Sequence, residues 1–163
     1  LINQKLIIMK NKRTELQVSA LRNGTVIDHI PSEHTYRVFQ ILNLEHANEQ
    51  VYFGSNLISK KLGKKGIIKI SGKFFQPEEI NKIALVAPHA TLIEIREYEI
   101  SKKVQITLPE TIENIVRCFN PKCVTNHQNI PTKFSIIKDH HGRMKLACHY
   151  CEKTMAQEDI WFI

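Results

Sequence analysis

Four cysteines in the pattern C-x4-C-x24-C-x2-C (Cys118, Cys123, Cys148 and Cys151) constrain this chain more than any other feature. Two close pairs, separated by a stretch long enough to fold back, place four thiolates around one tetrahedral ion. Soft sulfur donors in that number favour Zn2+. Two disulfides, a redox C-x-x-C or buried free thiols are the alternatives. No signal peptide is evident, which argues against oxidising export and disfavours disulfides; a cytoplasmic chain is expected. Four sulfurs leave no open position for water or substrate, so the ion is expected to be structural. Such an ion contributes roughly 10–16 kcal/mol to folding. The segment 109–163 is expected to need it, because its apolar residues are few and scattered. His127, His140, His141 and His149 read as solvated loop residues rather than competing ligands.

The remaining length bounds the architecture. A chain of 163 residues accommodates two small domains, here 14–108 and 109–163, behind an arm at 1–13. Within that arm Met9 is a candidate natural start. No apolar run approaches the roughly 20 residues of a membrane helix, so no membrane partner is expected. The net charge of +7 is uneven: residues 1–108 hold 16 Lys/Arg against 10 Asp/Glu, whereas residues 109–163 hold 7 against 6. A metal ribbon that grips nucleic acid concentrates its basic residues around the metal. The opposite placement here suits a compact anion, such as a nucleoside triphosphate, better than a long polyanion. A solvated basic face is the plainer reading of charge alone.

Periodicity predicts the first domain. Thr14 to Ala20 alternates as a strand, Asn23-Gly24 signals a turn, and Thr25 to Ile30 resumes a strand. Pro31 stops it, and Ser32 is placed to cap a helix with the stripe Tyr36, Phe39, Ile41 and Leu42. Val51 to Ile58 is the next strand, Ser59 to Gly66 a basic loop, and Ile67 to Ser71 a short strand. Pro77 at a first helical position, with Glu78 and Glu79 behind it, opens a second helix. Its stripe is Ile80, Ile83, Ala84 and Ala87, and Pro88 closes it. Thr91 to Ile100 reads as one long final strand. The expected class is α+β: a ferredoxin-like antiparallel sheet with both helices on one face, followed by a small zinc-bound β domain.

The run LQVSALRNGTVIDHIP (Leu16 to Pro31), IALVAPHATLIEIREYEI (Ile83 to Ile100), LPETIENIVRC (Leu108 to Cys118) and CHYCEK (Cys148 to Lys153) together resemble the regulatory chain of aspartate carbamoyltransferase. The resemblance covers almost the whole chain after the arm, with both domains in the expected order. It implies a non-catalytic subunit that pairs through its N-terminal domain as a homodimer. The metal domain then holds catalytic trimers, and nucleoside triphosphates such as ATP and CTP bias the assembly between states of low and high activity in pyrimidine biosynthesis.

The resemblance also implies a nucleotide site. Val18, Ser19, Ala20, Leu21 and Val26 match positions around base and sugar. Asp28 matches a carboxylate that meets ribose hydroxyls, with His29 beside it near the phosphates. Lys69 and Lys103 match the lysines that meet ribose or phosphate, while Ile93, Ile95, Tyr98 and Ile100 match the strand that lines the base. Carboxylate for hydroxyls and paired lysines for a polyphosphate make chemical sense together. Three departures stand out: Ile93 where well-studied members have Asn, Ser19 in place of an acidic residue, and Glu15 in place of Lys. Asn120, Lys122, Tyr150, Glu152 and Lys153 match positions in the metal loops that face the catalytic chain; Lys122 departs from a frequent Asn.

The residues alone admit two other function classes. A zinc-ribbon nucleic-acid binder is permitted by a pI near 9.3, but charge placement and the lack of interleaved aromatic residues around the cysteines argue against it. No glycine-rich phosphate loop, activated nucleophile pair or open metal site supports an enzyme.

Overall fold

The computed structural model describes residues 20–163. The expected arm at 1–13, all but the last residue of the strand Thr14–Ala20, and the site positions Val18 and Ser19 lie outside the described residues. From there the chain runs β1 (Gly24–Pro31), α1 (Thr35–Ile41), β2 (Val51–Ser59), β3 (Gly63–Ser71), α2 (Pro77–Val86), β4 (Thr91–Arg96) and β5 (Glu99–Gln105). These strands form one sheet in the order β2-β3-β1-β4-β5, with every neighbouring pair antiparallel. The first four strands and two helices have the ferredoxin-like βαββαβ order, and β5 is an added edge.

Alternation sorts the sheet into two faces. Ile27, Ile30, Ile68, Ile70 and Leu92 point toward the helices and join Val38, Ile83, Ala84 and Ala87 in one buried core. Phe53 of β2 meets Phe39 of α1 edge-on at 5.7 Å between ring centres on the same side. Val26, Ile93, Lys69 and Lys103 point the other way. Gly66 is required where α1 begins: a Cβ there would lie on the Thr35 side chain. Thr35 itself is buried and donates its hydroxyl to Ser32 O at 2.9 Å.

Four sequence expectations need correction. The final strand is a hairpin, with β4 and β5 joined at Glu97-Tyr98, both at positive φ (48° and 67°). No Gly or Asn marks that turn. It is held instead from outside, by Arg22 Nε to Glu97 Oε2 at 3.0 Å and Glu97 N–H to Asn23 Oδ1 at 3.0 Å. The basic loop Ser59–Gly66 is mostly strand, with only residues 60–62 left between β2 and β3. Ser32 does not cap α1: it opens a short 3-10 turn (Ser32–His34), and its hydroxyl serves the bulged part of β2, accepting Asn56 N–H at 2.7 Å. The stripe expected on α1 fails only at Tyr36, which is exposed; Phe39, Ile41 and Leu42 pack on the core beside the buried Thr35 and Val38.

The second half is built from β6 (Thr111–Glu113), β7 (Val116–Arg117), β8 (Lys133–Lys138), β9 (Met144–Cys148), β10 (Thr154–Ala156) and β11 (Trp161–Phe162). A four-stranded sheet runs β10-β9-β8-β6, and β11 pairs with β7. The apolar residues expected to be scattered are gathered: Ile112, Ile115, Val116, Phe134, Met144, Leu146, Met155 and Ile160 form a core with the buried cysteines. Leu85 of α2 is fully buried in that second core rather than the first. Helix α2 therefore has two apolar faces, one for each half. It begins as expected, with Pro77 in its first turn and the Glu79 carboxylate accepting Gln76 N–H at 3.0 Å.

Candidate functional site

The cysteines come from two turns that face each other. Cys118 and Cys123 bracket the loop after β7, while Cys148 and Cys151 bracket the turn after β9. Asn126 clamps the first loop by donating its amide to Cys118 O at 2.9 Å and Asn120 O at 2.8 Å. The second is closed by Glu152 N–H to Cys148 O at 2.9 Å, with Glu152 at φ 58°. The four Sγ atoms lie within 4.8 Å of one another, the only such ligand cluster among the described residues. Cys118 to Cys151 is 3.7 Å and Cys123 to Cys148 is 3.8 Å. A tetrahedral ion with metal–sulfur bonds of about 2.3 Å places its sulfurs roughly 3.8 Å apart, so the donor set fits a metal ion.

Without a cation, the buried thiols hold their protons. Burial pushes the Cys118 thiol far up, against a backbone hydrogen bond from Asn120, and burial likewise raises Cys148. Cys151 is the least buried of the four. Burial is the largest single influence on its thiol and raises the pKa. Hydrogen bonds from the Asn120 side chain, the Lys153 backbone and the neighbouring cysteines together outweigh it and lower the pKa to about 7. A cation among the sulfurs would stabilise the thiolates, and Thr125 Oγ1, 3.2 Å from Cys123 Sγ, donates from outside the cluster. His127, as expected, is not among the ligands: its Nε2 lies 2.6 Å from Pro121 O.

A second constellation occupies the sheet face away from the helices. Cross-strand pairing aligns Tyr52, Lys69, Val26, Ile93 and Lys103 in one row across all five strands. Lys69 and Lys103 thus stand three strands apart, with the apolar pair Val26 and Ile93 between them. One step along, Ile95 pairs with Gly24 on one side and Ile100 on the other. The hairpin therefore unites Ile95 and Ile100 across strands, rather than along one strand, and Tyr98 is its exposed turn residue, with N–H to Arg22 O at 2.9 Å. Leu21 is buried and Ala20 exposed just before β1.

On the other flank of the row, Asp28 Oδ1 accepts Lys65 Nζ at 2.6 Å and His29 N–H at 2.7 Å. His29 is the extra residue of a β-bulge and lies at φ 57°. Its Nδ1 is buried without a hydrogen bond, although Asp28 Oδ2 lies 3.3 Å away. Left-handed backbone and an orphaned polar atom thus coincide at this bulge. Burial lowers the pKa of Lys69, and the Asp28 carboxylate opposes that shift. Lys65, which the sequence reading did not group with Asp28, is its ion-pair partner. Lys65, Ile67 and Lys69 alternate on one face of β3, a pattern hidden when residues 59–66 are read as a loop.

The residues matched to the catalytic-chain contact all lie in the two metal loops. Lys122, Tyr150, Glu152 and Lys153 are exposed; Asn120 is half-buried and supports the loop by accepting Lys122 N–H at 3.2 Å. Tyr150 donates its hydroxyl to Pro131 O at 3.0 Å, which fixes the ring on the surface. No helix among the described residues is long and apolar enough to cross a membrane.

Comparison with known proteins bears on both constellations. Residues 16–107 match the family profile described as the aspartate carbamoyltransferase regulatory chain, allosteric domain, and residues 110–161 match the metal binding domain of the same chain. The protein named aspartate carbamoyltransferase regulatory chain in Bacteroides fragilis is 51% identical over 155 residues, covering 95% of this chain and 100% of its own. The chain of the same name in Phocaeicola vulgatus is 47% identical over 152 residues, covering 93% and 97%. That of Pyrococcus abyssi is 48% identical over 148 residues, covering 90% and 96%.

Proposed function

Since this chain belongs to the aspartate carbamoyltransferase regulatory-chain family, a non-catalytic subunit, we propose that it binds nucleoside triphosphates on the face of its first sheet away from the helices and transmits their binding to catalytic trimers through a zinc-built second domain. The domains are 14–108 and 109–163, behind the arm at 1–13. The ion is Zn2+, one per chain, because four sulfurs at tetrahedral spacing leave it no open position and match its preference for soft donors. The chain pairs through its first domain and works in the cytoplasm.

One observation carries this reading: Lys69, Val26, Ile93 and Lys103 share a single row, with the strained Asp28-His29 bulge beside it. Apolar strand residues offer a platform for a base, lysine ammoniums face a polyphosphate, and the Asp28 carboxylate accepts from ribose hydroxyls once Lys65 is drawn toward phosphate. Ile93 offers no side-chain hydrogen bond to a base edge, so discrimination between purine and pyrimidine rests on strand backbone. The metal loops present Asn120, Lys122, Tyr150, Glu152 and Lys153 to the catalytic chain, and zinc holds the loops that carry them.

Two measurements test the reading. Titration of the chain with ATP and CTP is expected to saturate at one site per chain for at least one of them; no saturable binding of either sinks the nucleotide assignment. Mixing the chain with its catalytic chain is expected to give a large complex by native mass that falls apart on chelation. A complex that survives loss of its zinc defeats the linking role of the metal domain.

A further inference from the structure

Helix α2 ends with an incomplete set of hydrogen bonds, and the metal half completes it. Within a continuing helix, Leu85 O and Val86 O would accept from the N–H groups of residues 89 and 90. His89 N–H goes instead to Ile106 O at 3.1 Å, and Ala90 N–H to Ala87 O at 3.2 Å. The Gln157 side chain fills the gap. Its Nε2 donates to Leu85 O at 2.8 Å and approaches Val86 O at 3.4 Å. Gln157 opens the 3-10 turn Gln157–Asp159, which follows β10 directly.

A second polar tie crosses alongside it, Arg37 Nη2 of α1 to Ile160 O at 3.1 Å. The two ties border a small cavity of about 90 Å³ lined by His34, Arg37, Val86, Gln157 and Glu158. Beneath them Leu85 is fully buried in the second core. On its other side α2 seats Ile83 and Ala84 in the same core as Ile27, the residue between Val26 and Asp28 in β1. A continuous packed path therefore runs from the sheet face away from the helices, through β1 and α2, to one amide side chain of the metal half.

We infer that Gln157 is a positioning residue for the allosteric signal: its amide fastens the end of α2 to the metal half, so that a shift of the first sheet moves the metal loops. Apolar contact at Leu85 permits sliding, whereas a two-carbonyl amide grip fixes one register. This inference rests on the nucleotide-sensing reading above. Coupling between nucleotide and substrate is reciprocal, which supplies a readout that mere stability would not move.

The experiment uses the full complex with its catalytic chain, comparing wild type with Gln157→Leu, Gln157→Glu and Arg37→Met. ATP and CTP affinities are measured with the catalytic sites empty and again saturated with a bisubstrate analogue. In the wild type the two affinities differ, by roughly 5- to 150-fold if the coupling is typical. Gln157→Leu is expected to bring that ratio close to 1 while zinc content and complex mass stay unchanged. Gln157→Glu, which sets a carboxylate against two carbonyl oxygens, is expected to do the same, and Arg37→Met to reduce the ratio partway. If the Gln157 variants keep the wild-type ratio, the inference is overturned. Loss of zinc or of assembly in both Gln157 variants overturns it too, in favour of a purely structural tie. A wild-type ratio of 1 defeats the sensing reading itself, a result distinct from either.

Discussion

The two halves of this molecule bury comparable apolar clusters but hold themselves together by different means. In the first, strands with inward Ile and Leu meet two helices, and the buried cluster is hydrocarbon throughout. In the second, three of the twelve buried residues are cysteines and one more, Leu85, is lent by α2 of the first half. Its strands are two to six residues long. Strands that short leave much of the segment in loops, whose ordering entropy a bound metal ion would offset. A core supplied by chain pattern survives alone, whereas a core supplied by an ion is conditional on that ion.

Metal removal is the largest test of this contrast. Chelation is expected to cost on the order of 10–16 kcal/mol at neutral pH. Hydrogen exchange should then show protection lost across residues 110–163 and kept across 24–105; equal loss in both halves would erase the distinction. Acid should act in the same direction, because the ion must displace protons from the buried Cys118 and Cys148 thiols, so metal affinity falls as pH falls.

The shared helix gives the next largest effect. Leu85→Ala and Ile83→Ala each delete a fully buried aliphatic side chain, at a cost of about 2–5 kcal/mol. The two are expected to act on different halves. Trp161 is the single tryptophan and lies in β11, so its fluorescence in urea should register Leu85→Ala early and Ile83→Ala late. Coincident transitions for both variants would mean that the halves unfold as one unit.

Smaller effects sharpen the comparison on the binding side. Lys69→Met is expected to weaken ATP or CTP binding about tenfold, roughly 1.4 kcal/mol, by removing a charge-assisted contact. Because burial already lowers the Lys69 pKa, bound phosphate would raise it again. Affinity should therefore be full below the free-state pKa and decline as pH rises through it, earlier than for an ordinary lysine; calorimetry against pH checks the sign. At the low end, the exposed Lys133–Glu113 pair at 3.0 Å should matter little. Lys133→Met is expected to change urea stability by no more than about 0.5 kcal/mol.

Much of this could be read from local pattern. C-x4-C-x24-C-x2-C announces a metal centre because four soft donors in two close pairs match the four positions around one tetrahedral ion. Pro77 followed by two glutamates marks the start of α2, since each satisfies a local requirement of a helix N-terminus. The alternation in GTVIDHIP carries β1 for the same reason: burial on one face has period two. These features depend on neighbours in the chain, so the chain order is enough to find them.

What only the tertiary structure decided depends on partners far away in sequence. The Glu97-Tyr98 turn has no turn residue of its own and exists because Arg22 and Asn23 hold it, so Thr91 to Ile100 looks like a single strand. Lys65 meets Asp28 only when β3 is extended to Gly63 beside the bulge at His29. Leu85 reads as one more apolar helix position until a second core is packed against it, and Gln157 reads as a polar loop residue until α2 offers two unpaired carbonyls. Local sequence determines periodicity and donor spacing; which orphaned groups meet is determined by closure of the fold.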